Sequence, residues 1–212
     1  MPDTYYTVKQ RKTNEITINK SRFIAHLARV TTEEEAQTFI DAVKKEHAGA
    51  THNCSAYLAG ENDEIQKAHD DGEPSRTAGV PMLEVLKKKE LKDTCVVVTR
   101  YFGGIKLGAG GLIRAYGQAV SAGLEASGIV QRTRMKVMSA SVDYTLLGRL
   151  ENDLRQSSYL LKDISYEDIV TFYVYVPAGG EEAFTSWVTN TANGQVEINE
   201  IEETYLEQDV TS

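Results

Sequence analysis

Residues 94–128, TCVVVTRYFGGIKLGAGGLIRAYGQAVSAGLEASG, decide the fold. Their first part, TCVVVTRYF (94–102), is a nearly continuous apolar run, which predicts a central strand buried on both faces. Their last part sets Leu112, Ala115, Tyr116, Ala119, Val120, Gly123 and Leu124 at helical spacing, one packed helix face. Gly123 and the alanines on that face predict close approach to a sheet. The segment between them, GGIKLGAGG, has no apolar period of its own.

Working outward, ITIN (16–19) and RFIAHLARV (22–30) alternate as strands, with Phe23, Ala25 and Leu27 on one face and Ile24, Ala28 and Val30 on the other. TTEEEAQTFIDAVKKEHAG (31–49) has Thr32 and Glu35 in capping-box spacing, an apolar stripe of Ala36, Phe39, Ile40 and Val43, and Gly49 as its stop. THNCSAYLA (51–59) alternates again, with Cys54, Ala56 and Leu58 on the face of His52. GENDE (60–64) reads as a polar turn, IQKAH (65–69) as the returning strand and MLEVLKKKEL (82–91) as a short helix. Beyond residue 133 the order is strand MKVMSASVDY, helix LLGRLENDLRQS, strands YLLKDISY and DIVTFYVYVP, helix EEAFTSWVTNTA and strand VEINEIEETYLE. That is the β-α-β-β-α-β order of ferredoxin-like domains. The fold class expected is α+β, with domains at 1–132 and 133–212.

The composition of the 212 residues, 41% hydrophobic and 25% charged, excludes disordered and low-complexity classes. No apolar run approaches the roughly 20 residues of a membrane helix, and the first residues do not read as a signal peptide. Cys54 and Cys95 form no CxxC pair, so the expectation is a reduced, cytoplasmic protein without disulfide or membrane association. The net charge of −8 is unevenly spread: 18 Lys and Arg stand against 17 Asp and Glu up to residue 132, and 5 against 14 thereafter. An acidic C-terminal third repels a phosphate backbone, so nucleic-acid contact is expected of the first part.

Two stretches carry candidate chemistry. In DDGEPSRTAG (70–79), the carboxylates Asp70, Asp71 and Glu73, with Thr77, suit acid–base or cation-binding work. General turn chemistry favours a polar turn capping its own amides. In RYFGGIKLGAGGLIRAY (100–116), the glycines precede a helix whose first amides attract anions. Gly108, Gly110 and Gly111 would cradle the anion, with Arg100, Lys106 and Arg114 supplying positive charge. The same glycines also serve a tight strand-to-helix turn. Neither GxxxxGK[ST] nor GxGxxG in dinucleotide spacing occurs. His52, Cys54 and His69 lack the further ligand a zinc site needs, so neither metal nor cofactor is expected. The two candidate stretches are expected to lie side by side, forming one site.

SRFIA (21–25), THNCSAY (51–57), DDGEPSRTAG (70–79) and VVVTRYFGGIKLGAGGLIRAY (96–116) together resemble the IMPACT/YigZ family, in its order and separations. The signature covers about residues 20–127, and residues 133–209 resemble the small C-terminal domain of bacterial members. Arg76 departs from the pattern, which commonly has glycine there. The resemblance implies an N-terminal domain like the second domain of ribosomal small-subunit protein five. It implies a ferredoxin-like C-terminal domain resembling domain V of elongation factor G. Eukaryotic members regulate translation; this chain, without an added N-terminal RWD domain, resembles the bacterial type.

The function expected is therefore translation-associated regulation or binding rather than catalysis. The partners expected are rRNA, tRNA or the ribosome through the N-terminal domain, and a protein through the acidic C-terminal domain. The alternatives are a phosphate- or nucleotide-binding enzyme using the two stretches, and a protein-interaction module.

Overall fold

The computed structural model describes residues 3–60 and 64–210, and its mixture of helix and strand is α+β. The chain groups into two compact units: one runs to Gln131 and resumes at Gln208, and the other is Arg132–Glu207. The last described residues, which the sequence assigns to the second domain, therefore group with the first. Val210 N–H donates to the Ile129 carbonyl, and Lys9 pairs with Asp209 at 2.8 Å.

The first unit is built on a five-stranded sheet. Its strands are β2 (Lys12–Ile18), β3 (Ser21–Arg29), β4 (His52–Ala59), β5 (Ile65–His69) and β6 (Thr94–Tyr101), in spatial order β2-β3-β6-β4-β5. Neighbours run antiparallel throughout. β6 is central, and all its residues but Tyr101 are buried, as its unbroken apolar run predicts. The strand parity read from sequence holds. Phe23, Ala25, Leu27, Cys54, Ala56 and Leu58 meet α2 (Gly79–Lys88) and α3 (Gly108–Ser127) on one face of the sheet. Ala28, Val30, Tyr57, Cys95 and Val97 meet α1 (Glu33–Glu46) on the other. Gly123 allows the expected close approach: a Cβ there would lie 2.6 Å from Leu27 Cδ1. β1 (Thr4–Val8) lies outside this sheet and contributes Val8 to the larger core.

Two helices begin earlier than the apolar period indicates, α2 at Gly79 rather than 82 and α3 at Gly108 rather than 112. Gly108, Gly110 and Gly111, expected in a loop before α3, are thus in its first turn, while Gly103 and Gly104 precede it. Thr32 caps α1 as its spacing predicts, its Oγ1 accepting from Glu35 N–H at 3.2 Å. The polar turn expected at 60–64 falls largely outside the described residues.

The second unit contains most of β7 (Ile129–Val142), then α4 (Leu147–Gln156), β8 (Leu160–Tyr166), β9 (Val170–Pro177), α5 (Glu181–Thr191) and most of β10 (Glu197–Asp209). The order β10-β7-β9-β8 is that of a split βαβ pair, with β9 antiparallel to both neighbours. Leu150 and Leu154 of α4 and Phe184 and Val188 of α5 pack on Phe172, Val174 and Val176 of β9.

Candidate functional site

The acidic turn and the glycine-rich helix start are brought to one pocket in the first unit, of about 310 Å³. Glu73 and Pro74 come from the turn; Arg100 from the end of β6 and Phe102 just after it; Lys106 from the loop before α3; Gly108, Ala109 and Leu112 from the start of α3; His52 from the start of β4 and Thr51 just before it. The local backbone explains why these meet. β4 and β6 pair with His52 opposite Arg100, so both point to the same face at the same sheet end. Gly103 lets the chain leave β6 tightly against the β2–β3 turn, where any Cβ would lie 2.0 Å from the Lys20 carbonyl carbon.

The three carboxylates do not converge, which corrects the reading of them as one acidic cluster. Asp71 (φ 47°) and Gly72 (φ 87°) both take left-handed conformations, so successive side chains diverge. Asp70 turns into its own loop, accepting from the backbone N–H groups of Arg76 (2.7 Å), Gly79 (2.9 Å) and Ala78 (3.1 Å). Partial burial works against ionisation of Asp70, but these donors prevail and hold its carboxyl below the ordinary value. Asp71 accepts from Asn53 N–H at 2.7 Å and pairs with Lys44 at 2.7 Å. Burial opposes its ionisation too, and Lys44 with the Asn53 amide outweighs it. Thr77 donates to the Pro74 carbonyl at 2.6 Å. These residues shape the turn and do not line the pocket. Among the described residues no cluster of His, Cys, Asp or Glu is arranged to hold a metal.

Glu73 is different. Its side chain is 3% exposed, and Oε1 accepts from Arg100 Nη1 and from the Tyr116 hydroxyl, each at 2.7 Å. Arg100, itself 7% exposed, lies over Phe23 and Phe102, 5.4 and 5.5 Å from the ring centres. Its Nε–H has no hydrogen-bond acceptor among the described residues. Glu73 Oε2 faces His52 Nε2 at 3.8 Å, while His52 Nδ1 lies 2.8 Å from the Asp71 carbonyl oxygen. A carbonyl only accepts, so Nδ1 carries the hydrogen of that bond.

Of the residues proposed from sequence, Glu73, Arg100, Lys106 and Gly108 line the pocket, whereas Asp70, Asp71, Thr77, Gly110, Gly111 and Arg114 do not. Gly110 and Gly111 lie in the first turn of α3, and Arg114 one turn further on. Sequence reasoning missed Thr51, Phe102 and the contact of Tyr116 with Glu73. An aromatic directly after a buried strand was a usable signal for Phe102, which is 46% exposed. Cys54 is a buried thiol: it donates to the Asp70 carbonyl at 2.9 Å, and burial pushes its pKa up to about 12.

In the second unit the acidic excess lies largely on β10, where it is answered by local cations. Glu200 pairs with Lys136 at 2.7 Å, Glu202 with Lys162, Glu203 with Arg134 at 3.6 Å and Glu207 with Arg132 at 3.1 Å.

Fold and site together define a class: a two-unit α+β protein with a ferredoxin-like second unit and, in the first, a pocket floored by a buried Glu–Arg pair beside a glycine-rich helix start. Residues 19–124 match the Impact N-terminal domain, and residues 141–195 match DUF1949, a domain of unknown function. The chain is 62% identical to the IMPACT family member YvyE of Bacillus subtilis (strain 168) over 210 residues, 99% of this chain and 97% of that one. It is 36% identical to the IMPACT family member YigZ of Escherichia coli (strain K12), covering 88% and 92% of the two chains. A crystal structure of a hypothetical protein, 31% identical, aligns with a TM-score of 0.61 over 95% of this chain and 99% of that one. The chain belongs to the IMPACT family.

Proposed function

We propose that the protein is a translation-associated regulatory factor, cytoplasmic, that engages rRNA or tRNA, free or in the ribosome, through its first unit. The observation that carries this reading is the pocket at the start of α3. There Lys106 is exposed, without an ion-pair partner among the described residues, beside first-turn amides that favour a phosphate. The charge division supports it, because the first 132 residues are near neutral while the remainder is acidic. The family's translational relatives, implied by the sequence signature, point the same way. Among the described residues no helix is long and apolar enough to cross a membrane.

The experiment is a titration of the full chain with an rRNA fragment over a salt series. Binding should weaken with salt, and Lys106→Ala should reduce the slope of log affinity against log salt by about 0.7 for one single-strand phosphate contact. Failure to bind either single-stranded or duplex RNA at low salt overturns the reading.

A further inference from the structure

We infer that the pocket admits one unstacked nucleobase carrying an exocyclic amino group, so that the ligand is single-stranded RNA; this rests on the RNA reading above. A site for phosphate alone has no use for apolar walls, yet Pro74, Phe102, Leu107 and Leu112 line this one. The Phe102 ring is nearly half exposed and already carries the Arg100 guanidinium. A ring stacked on Phe102 extends that arrangement, and base–aromatic stacking is the recurrent means of holding unpaired nucleotides. A pocket of about 310 Å³ has room for a base with its ribose. In a duplex the base edges are already paired, so they cannot enter it.

The polar floor selects among bases. The hydrogen bonds from Arg100 and Tyr116 both fall on Glu73 Oε1, which leaves Oε2 facing His52. Beside it, at 3.8 Å, stands His52 Nε2, which in the neutral ring is an acceptor because Nδ1 holds the hydrogen bonded to Asp71. Two acceptors side by side call for a donor between them. The amino group of cytosine, adenine or guanine supplies two N–H bonds in one plane, whereas the uracil carbonyl at the corresponding place is repelled by both. The phosphate of the same nucleotide then lies by Lys106 and the amides of Gly108 and Ala109, at the positive end of α3.

Fluorescence anisotropy of the intact protein with oligoribonucleotides of one length tests this. The probes are oligocytidylate, oligouridylate, an abasic strand and an RNA duplex. Oligocytidylate is expected to bind about tenfold more tightly than oligouridylate or the abasic strand, the worth of one hydrogen bond to a charged group. Phe102→Ala should remove the advantage of cytidylate over the abasic strand and leave the salt slope unchanged. Lys106→Ala should lower the slope and keep the base preference. Equal affinity for the cytidylate and abasic strands, or for cytidylate and uridylate, overturns the base pocket while the RNA reading stands. Failure to bind any of the four probes overturns the RNA reading itself, and this inference with it.

Discussion

Replacing Arg100 by methionine is the sharpest test of how the floor of the pocket is held. Met keeps most of the side chain's length and its apolar contact with Phe23 and Phe102, and removes only the charge and its donors. Glu73 then keeps the Tyr116 hydroxyl on Oε1 but loses its cation, in a position where its side chain is 3% exposed. Breaking one side of a buried pair costs about 3–5 kcal/mol, because the remaining charge stays desolvated. For a chain of this size that corresponds to a melting temperature lower by roughly 6–20 °C. Glu73→Gln should cost a similar amount by stranding the guanidinium. The double variant Glu73→Gln/Arg100→Met strands neither, and replacing a buried pair as a whole is often neutral. It should therefore be more stable than Arg100→Met alone, with a coupling energy of about 2 kcal/mol or more. Urea titrations followed by circular dichroism, with calorimetry as the second measure, give all four corners of the cycle. Single-variant losses below about 1 kcal/mol, the behaviour of an exposed pair, would refute the argument, as would costs that simply add.

Arg76→Gly should stabilise by up to about 1 kcal/mol, because Arg76 sits at φ 64° and glycine relieves that strain at some entropic cost in the unfolded chain; a lower urea midpoint for the variant contradicts this. Asp70→Asn should lose about 1–3 kcal/mol at neutral pH by weakening three charge-assisted bonds from Arg76, Gly79 and Ala78. Since the folded carboxyl titrates below its unfolded value, its contribution is present above about pH 4 and lost as pH falls through the folded value, so the gap between wild type and variant should close in acid. Burial, with His47 adding to it, lowers His26 to about 4, so stability should fall as pH drops from about 6.5 toward 4, and His26→Gln should flatten that window in pH-dependent melting. Cys54, pushed up to about 12, should resist alkylation in the native protein at mildly alkaline pH and react on unfolding; rapid native labelling at that position would contradict its burial.

The sheet was legible because burial imposes a period of two on it. Cys54, Ala56 and Leu58 face the larger core and Tyr57 the smaller one, as alternation alone requires. The helix starts were not legible, for a physical reason. The first turn of α3 is Gly-Ala-Gly-Gly and that of α2 is Gly-Val-Pro-Met, neither with a polar face to set a helical period, and the caps, Leu107 and Ala78, have side chains that accept no amide hydrogen. Neither the periodic signal nor the capping signal was there to be read. At Arg76, where the resemblance leads one to expect glycine, the backbone is left-handed, a conformation glycine adopts freely; this chain accepts the strain while using the Arg76 N–H to hold Asp70.

The acidic turn shows where sequence adjacency stops being informative about chemistry. Asp70, Asp71 and Glu73 stand within four positions, and composition alone makes them equivalent candidates. Two consecutive left-handed residues separate them into three environments: a ring of backbone amides for Asp70, a lysine and an amide for Asp71, and a buried arginine with a tyrosine for Glu73. Only the last faces the pocket, and it does so because Asp70 and Asp71 use their charge to hold the turn in shape. The bland and the functional readings of the stretch are therefore complementary. Two carboxylates build a loop whose geometry would otherwise be costly, and that loop carries the third carboxylate under the end of β6. On this account, repairing the turn after loss of Asp70 by a substitution elsewhere in the loop should restore Glu73 as well, since its position is a consequence of the backbone rather than of its own side-chain bonds alone.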